Sequence, residues 1–337
     1  MTTQSDVKQS KIERALKILA LSVFTACVVL TFLAECERAN WTLYLVAQLR
    51  LELFALSILT AAVFGVLEYP KKLILIVTIC ALLNGRQIIP LYFPSGNKLP
   101  TNAQSLRVLQ INLNFKNQEF QKVSSYIHKI NPDVLLISEL TPTWVKAFQK
   151  SLPDYPNVTC VPREDTYGIG VYSKSKIENA KVEYFGPAGH PSVTGTLGGL
   201  EKPITILHTH IQGPVKDHFF EWHREHYEKM TMNVLTMKTP LLVSGDTNSN
   251  TWSYLLSDFL QATKLLDSRQ GRGVQLTWPV PGYWRQFPFT VLAIDHYFVS
   301  PEIVVVNRKI GEDIGSDHFP VYMEFGLQSR TASPKPR

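Results

Sequence analysis

LLVSGDTN at residues 241–248 and GSDHFPV at residues 315–321 decide how this chain is read. In both, an apolar run of strand character abuts Asp with Asn or His across a Gly or Ser turn, so a carboxylate or imidazole is delivered where a strand ends or begins. Four other stretches share the pattern. Asn112 and Asn114 follow RVLQI (107–111), and Glu139 follows DVLLIS (133–138). His208 and His210 close PITILHTH (203–210), and Asp295 lies within AIDHYFV (293–299). A single polar residue at a strand end usually makes a turn or a cap; six such places in one domain point to a shared site.

Working outward, apolar runs predict strands at 106–112, 134–138, 168–173, 204–210, 241–245, 294–300, 303–307 and 321–325. Helical patterns fall at 119–130, 144–150, 219–237 and 253–260. This mixture implies a sheet-cored α/β or α+β domain over residues 106–326. Turn formers at 94–105 (PSGNKLPTNAQS) make a linker, and residues 327–337 read as a disordered tail.

The candidate ligands are oxygens and imidazoles, which suit a hard divalent ion such as Mg²⁺ or Mn²⁺ better than zinc. Such an ion beside Asp and His binds phosphate oxygens and helps water attack phosphorus, so phosphate-ester hydrolysis is the natural chemistry. Of the four cysteines only Cys160 lies in this domain, so no disulfide forms within it, and no zinc-type Cys/His spacing occurs.

In chain order, QIN, LLISEL, HTH, SGDTN, AIDHYFV and GSDHFPV resemble the motif series of the endonuclease/exonuclease/phosphatase superfamily, the DNase-like metal-dependent phosphoesterases. The resemblance implies a four-layered β-sandwich of two sheets flanked by helices. It implies that Glu139 is the principal metal ligand, with Asn112 and Asp317 near the ion. By the same likeness Asp246 orients or deprotonates the attacking water, and Asn248 holds that water or a phosphate oxygen. His318 then contacts the scissile phosphate, Asp295 orients His318, and His210 stabilises the phosphorane-like transition state. His208 matches no family position. Some family nucleases carry Asp two residues after the first Asn, where this chain has Asn114, which reads as a turn residue. His218, His223 and His226 sit on a helix with Arg224 and Glu225 and read as a solvated face.

The family cuts DNA, RNA, phosphoinositides, inositol phosphates and sphingomyelin, and the shared core does not choose among them. The loop TWPVPGYWRQFPFT (277–290) offers Trp278, Trp284 and Arg285 as substrate contacts, for stacking bases or entering a headgroup layer. The first expectation is a membrane-anchored nuclease or phosphodiesterase. Beside it stand a phospholipid or sphingomyelin-type phosphodiesterase, a phosphoinositide phosphatase, and a catalytically idle membrane adaptor.

The anchor is read from the first 97 residues, which hold nine of the 34 Lys and Arg, six of the 28 Asp and Glu, and no His. A basic tail (1–14) precedes apolar runs at 15–34, 45–67 and 73–93, read as three transmembrane helices. Lys8, Lys11, Arg14 and Lys17 on one side, and Lys71 and Lys72 in the second loop, assign the tail and that loop to the cytoplasm. Three crossings put the catalytic domain outside the cytoplasm of a multi-pass inner-membrane protein; if 45–67 does not span, the domain returns inside. The composition agrees with a folded chain: 45% hydrophobic and 18% charged residues at net charge +6 exclude a disordered, collagen-like or disulfide-scaffold protein.

Overall fold

The computed structural model describes residues 4–94, 99, 104–279 and 292–328, with side chains from residue 11 onward. They form two compact units, one of residues up to Pro90 with Trp252–Tyr254, the other of the remainder.

In the first unit, α1 (Gln4–Glu35) contains a 25-residue stretch, Lys11–Glu35, whose most apolar 18 residues have mean hydropathy 2.3. At a rise of about 1.5 Å per residue this stretch is long enough to cross a hydrocarbon core. The run expected at 45–67 is two helices, α2 (Trp41–Ala47) and α3 (Arg50–Val66), bent by 54°. Asn40 caps α2 by accepting a hydrogen bond from Leu43 N at 3.0 Å. The run expected at 73–93 is α4 (Lys71–Gly85) followed by a 3-10 turn at Ile89–Tyr92. Among the described residues, one helix is long and apolar enough to span alone, or two spans arise if the bent pair acts as one. Arg50 is buried with its guanidinium on Glu35 at 2.6 Å, Ala34 O at 2.8 Å and Glu37 at 3.4 Å, so its charge is matched where it lies. Within the same unit Trp252 Nε1 donates to Gln48 O at 3.0 Å, and Tyr254 N to Glu37 Oε2 at 3.1 Å.

The second unit runs, in chain order, β1 (Ser105–Asn112), α5 (Phe120–Ile130), β2 (Val134–Ser138), α6 (Pro142–Ser151), β3 (Asn157–Val161) and β4 (Ile169–Ser173). Then come β5 (Ile177–Phe185), β6 (His190–Leu197), β7 (Ile204–His210), α7 (Asp217–Val234), β8 (Leu241–Asp246), α8 (Tyr254–Thr263) and β9 (Leu266–Asp267). The chain closes with β10 (Asp295–Val299), β11 (Ile303–Ile310) and β12 (Val321–Leu327). One six-stranded sheet has the order β11-β12-β1-β2-β4-β3 and the other β5-β6-β7-β8-β10-β9. The expected four layers are present, two sheets with helices outside them. β12 extends to Leu327, one residue into the stretch expected as tail, and residues 329–337 lie outside the described residues.

Side chains on a strand alternate between its faces, and here the alternation makes the site. In β1, Leu109 and Ile111 face outward and join Val123, Ile127, Trp144 and Phe148 under α5 and α6. Leu106 and Val108 point inward, to a core shared with Val134 and Leu136 of β2, Ile204 and Ile206 of β7, Leu242 of β8, and Tyr297 and Val299 of β10. On the far side of the second sheet, Phe259 of α8 meets Phe298 edge-on at 5.6 Å. The inward stripes continue in polar residues: Gln110 and Asn112, Ser138, His208 and His210, Ser244 and Asp246, and Asp295. The two sheets therefore enclose an apolar core that turns polar at one end.

Candidate active site

Strand register sets three of these residues side by side. His210 of β7 pairs with Asp246 of β8, which pairs with Asp295 of β10. Gly245 permits this pairing: its φ is +151°, and a Cβ there would sit 1.8 Å from Thr209 O. Facing them, β1 and β2 pair Asn112 with Ser138, and Glu139 follows directly with φ +58°. A left-handed glutamate is strained, and such strain collects where a side chain must be aimed.

The side chains converge. Asn112 Nδ2 donates to Glu139 Oε1 at 3.1 Å and Asp246 Oδ2 at 3.0 Å, and lies 3.4 Å from His318 Nε2. Glu139 Oε2 accepts from Phe115 N at 2.9 Å. His318 Nδ1 meets Asp295 Oδ2 at 2.8 Å, its Nε2 lies 3.6 Å from Asp246, and Gln110 Nε2 donates to Asp295 Oδ1 at 3.1 Å. His210 Nε2 lies 3.4 Å from Asp246 Oδ2. Asn248, at φ +50°, donates from its backbone to Asp246 Oδ1 at 3.0 Å and from its side chain to Ile211 O at 2.8 Å. Ligand atoms of Asp246, Asp295 and His318 lie within 4.8 Å of one another, a set that shares no residue with the expected Asn112, Glu139 and Asp317.

Asp317 sits at the rim, where Oδ1 accepts from Asn114 Nδ2 at 2.9 Å and Oδ2 from Trp278 Nε1 at 3.0 Å. Asn114 is therefore more than the expected turn residue: at φ +54° it accepts from Lys116 N and also holds Asp317. Trp278, named above as a substrate contact, stands 6.4 Å from the His318 ring. Trp284 and Arg285 lie outside the described residues.

Three residues escaped the sequence reading. Gln110 was visible as the inward neighbour of Asn112 two positions on. Thr277 Oγ1 accepts from Asp295 N at 3.2 Å. Tyr167, in the turn before β4, stacks on His190 at 3.3 Å between centroids and lies 5.0 Å from the His210 ring. The helix expected to present a solvated face is half wrong on that point. His218 is exposed, but His223 and His226 are buried, on the stripe that includes Phe220, Tyr227 and Met230.

Burial raises the Glu139 carboxyl above the usual range despite the nearby His318. Burial likewise raises Asp246, with Asp295 adding to the effect. For Asp295 burial acts upward too, but the charge and hydrogen bond of His318 outweigh it and hold the carboxyl low. Burial opposes a charge on His318, yet Asp295 and Asp246 carry its pKa up to about 10. Burial drives His210 down to about 3, so that ring is neutral.

The Endonuclease/Exonuclease/phosphatase family pattern matches residues 109–318. The chain belongs to this family. No curated protein sequence matches it. Among solved structures of the family's fold, D. rerio TDP2 complexed with single strand DNA product matches at 15% identity and TM-score 0.58, over 66% of this chain and 100% of that one. The human Nocturnin catalytic domain matches at 16% identity and TM-score 0.54, covering 66% and 95%. A family protein from Bacteroides thetaiotaomicron matches at 18% identity and TM-score 0.53, covering 68% and 100%. At such identities the likeness shows the fold. Family members are phosphoesterase hydrolases, typically dependent on a divalent metal. The residues present fit such an ion: Glu139, Asp246 and Asp295 bring three carboxylates into one buried site, and burial raises two of them.

Proposed function

We propose that this chain is a membrane-attached, divalent-metal-dependent phosphodiesterase of nuclease type that hydrolyses its substrate by in-line attack of water. The observation that carries this reading is the row His210, Asp246, Asp295 on adjacent strands, with His318 bonded to Asp295 and facing Asp246.

A bound Mg²⁺ or Mn²⁺, held by Glu139 with Asn112 and Asp317 or Asp246 beside it, would supply charge neutralisation for the phosphate and the departing oxygen. The chain's own residues do the rest. Asp246, with its raised carboxyl, takes a proton from water as the water oxygen bonds to phosphorus and the bond to the leaving oxygen breaks. Asn248, whose amide is fixed on Ile211 O, holds that water or a phosphate oxygen. His318, kept protonated and oriented by Asp295, presents Nε2 as a donor to a phosphate oxygen, and neutral His210 lies beside the developing charge. A catalytically idle adaptor has no use for this buried carboxylate set.

Nucleic acid is favoured as substrate by the likeness to TDP2 with its single strand DNA product and by Trp278 at the rim, which suits base stacking. A phospholipid headgroup is the second reading, favoured by the apolar helix Lys11–Glu35 in the same chain. Membrane attachment through α1 belongs to the proposal, with α2–α3 and α4 as further crossings. Three crossings would put the catalytic domain outside the cytoplasm, and alkaline phosphatase fusions after residues 38, 69 and 95 would report the count. The function is tested with the full chain in detergent, given Mg²⁺, Mn²⁺ or EDTA. Substrates are plasmid DNA, RNA, sphingomyelin, phosphatidylinositol phosphates and bis-p-nitrophenyl phosphate. Metal-dependent cleavage of DNA or RNA is expected; cleavage of lipid alone would install the second reading, and no turnover on any substrate would overturn the enzyme assignment.

A further inference from the structure

His210 ends β7 and Asn248 lies in the turn after β8, and a buried histidine of α7 ties the two turns together. His223 Nδ1 lies 2.5 Å from Gln212 O, and Nε2 lies 2.9 Å from Ser249 Oγ. Burial lowers the His223 pKa to about 4, so the ring is neutral and has one donor and one acceptor nitrogen. A carbonyl oxygen only accepts, so Nδ1 carries the hydrogen and Nε2 accepts from the Ser249 hydroxyl. One directed chain thus runs from Ser249 through His223 to Gln212.

Both ends abut the site. Ser249 follows Asn248, and Gln212 follows Ile211, whose carbonyl holds the Asn248 amide at 2.8 Å and whose N–H donates to Asp246 O at 3.0 Å. The Gln212 side chain reaches on to His190 Nε2 at 3.0 Å, under the Tyr167 ring. One helix turn away, His226 Nε2 meets Thr209 Oγ1 at 3.0 Å, next to His210. None of these contacts touches a reacting atom, and all of them bear on where Asn248 and His210 point.

We propose that His223 is a positioning residue for phosphodiester hydrolysis, clasping the β7 turn to the β8 turn so that Asn248 and His210 stay fixed against Asp246. The clasp rests on the hydrolytic reading of the site. It acts on groups that serve the transition state, so its loss lowers kcat and leaves KM in place.

The test uses the full chain with Mg²⁺ and bis-p-nitrophenyl phosphate, comparing wild type, Asp246→Asn, His223→Phe, Ser249→Ala, the double variant and His223→Asn. His223→Phe is expected to lower kcat by about tenfold to a hundredfold, with KM within about twofold and the thermal midpoint retained. Ser249→Ala should fall in the same direction, and the double variant should lose no more than the worse single, because both break one chain. His223→Asn, which keeps a donor toward Gln212 O, should recover part of the rate. A kcat within about twofold of wild type for His223→Phe, or losses that multiply in the double variant, would overturn the proposal. If His223→Phe does not fold, unchanged kcat in both Ser249→Ala and His223→Asn does the same. Absence of turnover in the wild type overturns the hydrolytic reading itself and this inference with it, whereas wild-type turnover lost only in Asp246→Asn separates the two.

Discussion

Two aspartates of the same sheet with covered side chains, Asp267 in β9 and Asp246 in β8, show how one side chain can serve structure or chemistry. Asp267 Oδ1 accepts from Arg269 N at 2.9 Å and Nε at 3.1 Å, and Oδ2 from Arg269 Nη2 at 2.7 Å. Burial pushes the Asp267 carboxyl up, but that guanidinium brings it below the ordinary range, so it stays ionised and inert. Asp246 has amides and imidazoles around it, other carboxylates nearby and no guanidinium, and burial raises it. A buried carboxylate clamped by a guanidinium holds a corner together; one that burial still raises is available to a proton, a cation or a substrate. Arg50 in the helical unit, matched by Glu35 and Glu37, belongs to the first kind.

The comparison can be broken on either side. The largest effect is expected at the site: His318→Ala should lower kcat by about two to three orders of magnitude with the fold intact, as removal of a transition-state donor does. Steady-state rates beside a circular-dichroism melt check it. Next, Arg269→Met leaves Asp267 buried and unpaired, which should cost about 3–5 kcal/mol of stability while turnover per folded molecule holds; denaturant unfolding measures the first and active-site-normalised rates the second.

A smaller effect sharpens the unmatched side. If the raised carboxylates await a cation, Mg²⁺ at a hundred times its Kd should stabilise the protein by about 2.7 kcal/mol. Glu139→Gln should abolish most of that shift in a thermal melt. The last effect is on pH. Burial holds His208 at about 4 and His226 at about 3, below the ordinary value of 6.5, so the unfolded chain binds protons there that the native one does not. The contribution of these two rings is therefore complete above pH 6.5 and falls as pH drops toward 4, each ring contributing about 1 kcal/mol per pH unit inside its window. His318 has the opposite sign, stabilising below pH 6.5 and losing that contribution as pH rises through about 10. Melts across pH 4.5–8 should slope upward with pH on the acid side.

What the sequence made legible follows from strand periodicity. RVLQIN, LLVSGD and their companions are aliphatic on alternate positions and end in a polar residue, so both the strands and the site residues could be read. β5 and β6 could not: IENAKVEYF and HPSVTGTL carry few aliphatic residues at period two, and their places come from partner strands. His223 and His226 were misread because charged neighbours suggest a wet face, although the stripe Phe220, His223, Tyr227, Met230 and Val234 has the helical spacing of a buried one. Tyr167 had no signal of its own, because turns place side chains by tertiary contact. The third apolar run was counted as longer than its helix, since the 3-10 turn at Ile89–Tyr92 is as apolar as the helix before it.

The most direct measurement is turnover per folded molecule of Asp246→Asn and Asp267→Asn in parallel, on the substrate that the full chain cleaves with Mg²⁺. Asp246→Asn is expected to lose about two orders of magnitude or more in rate while melting no lower than wild type. Asp267→Asn should melt lower and keep its rate. An Asp246→Asn protein that turns over normally would contradict the account.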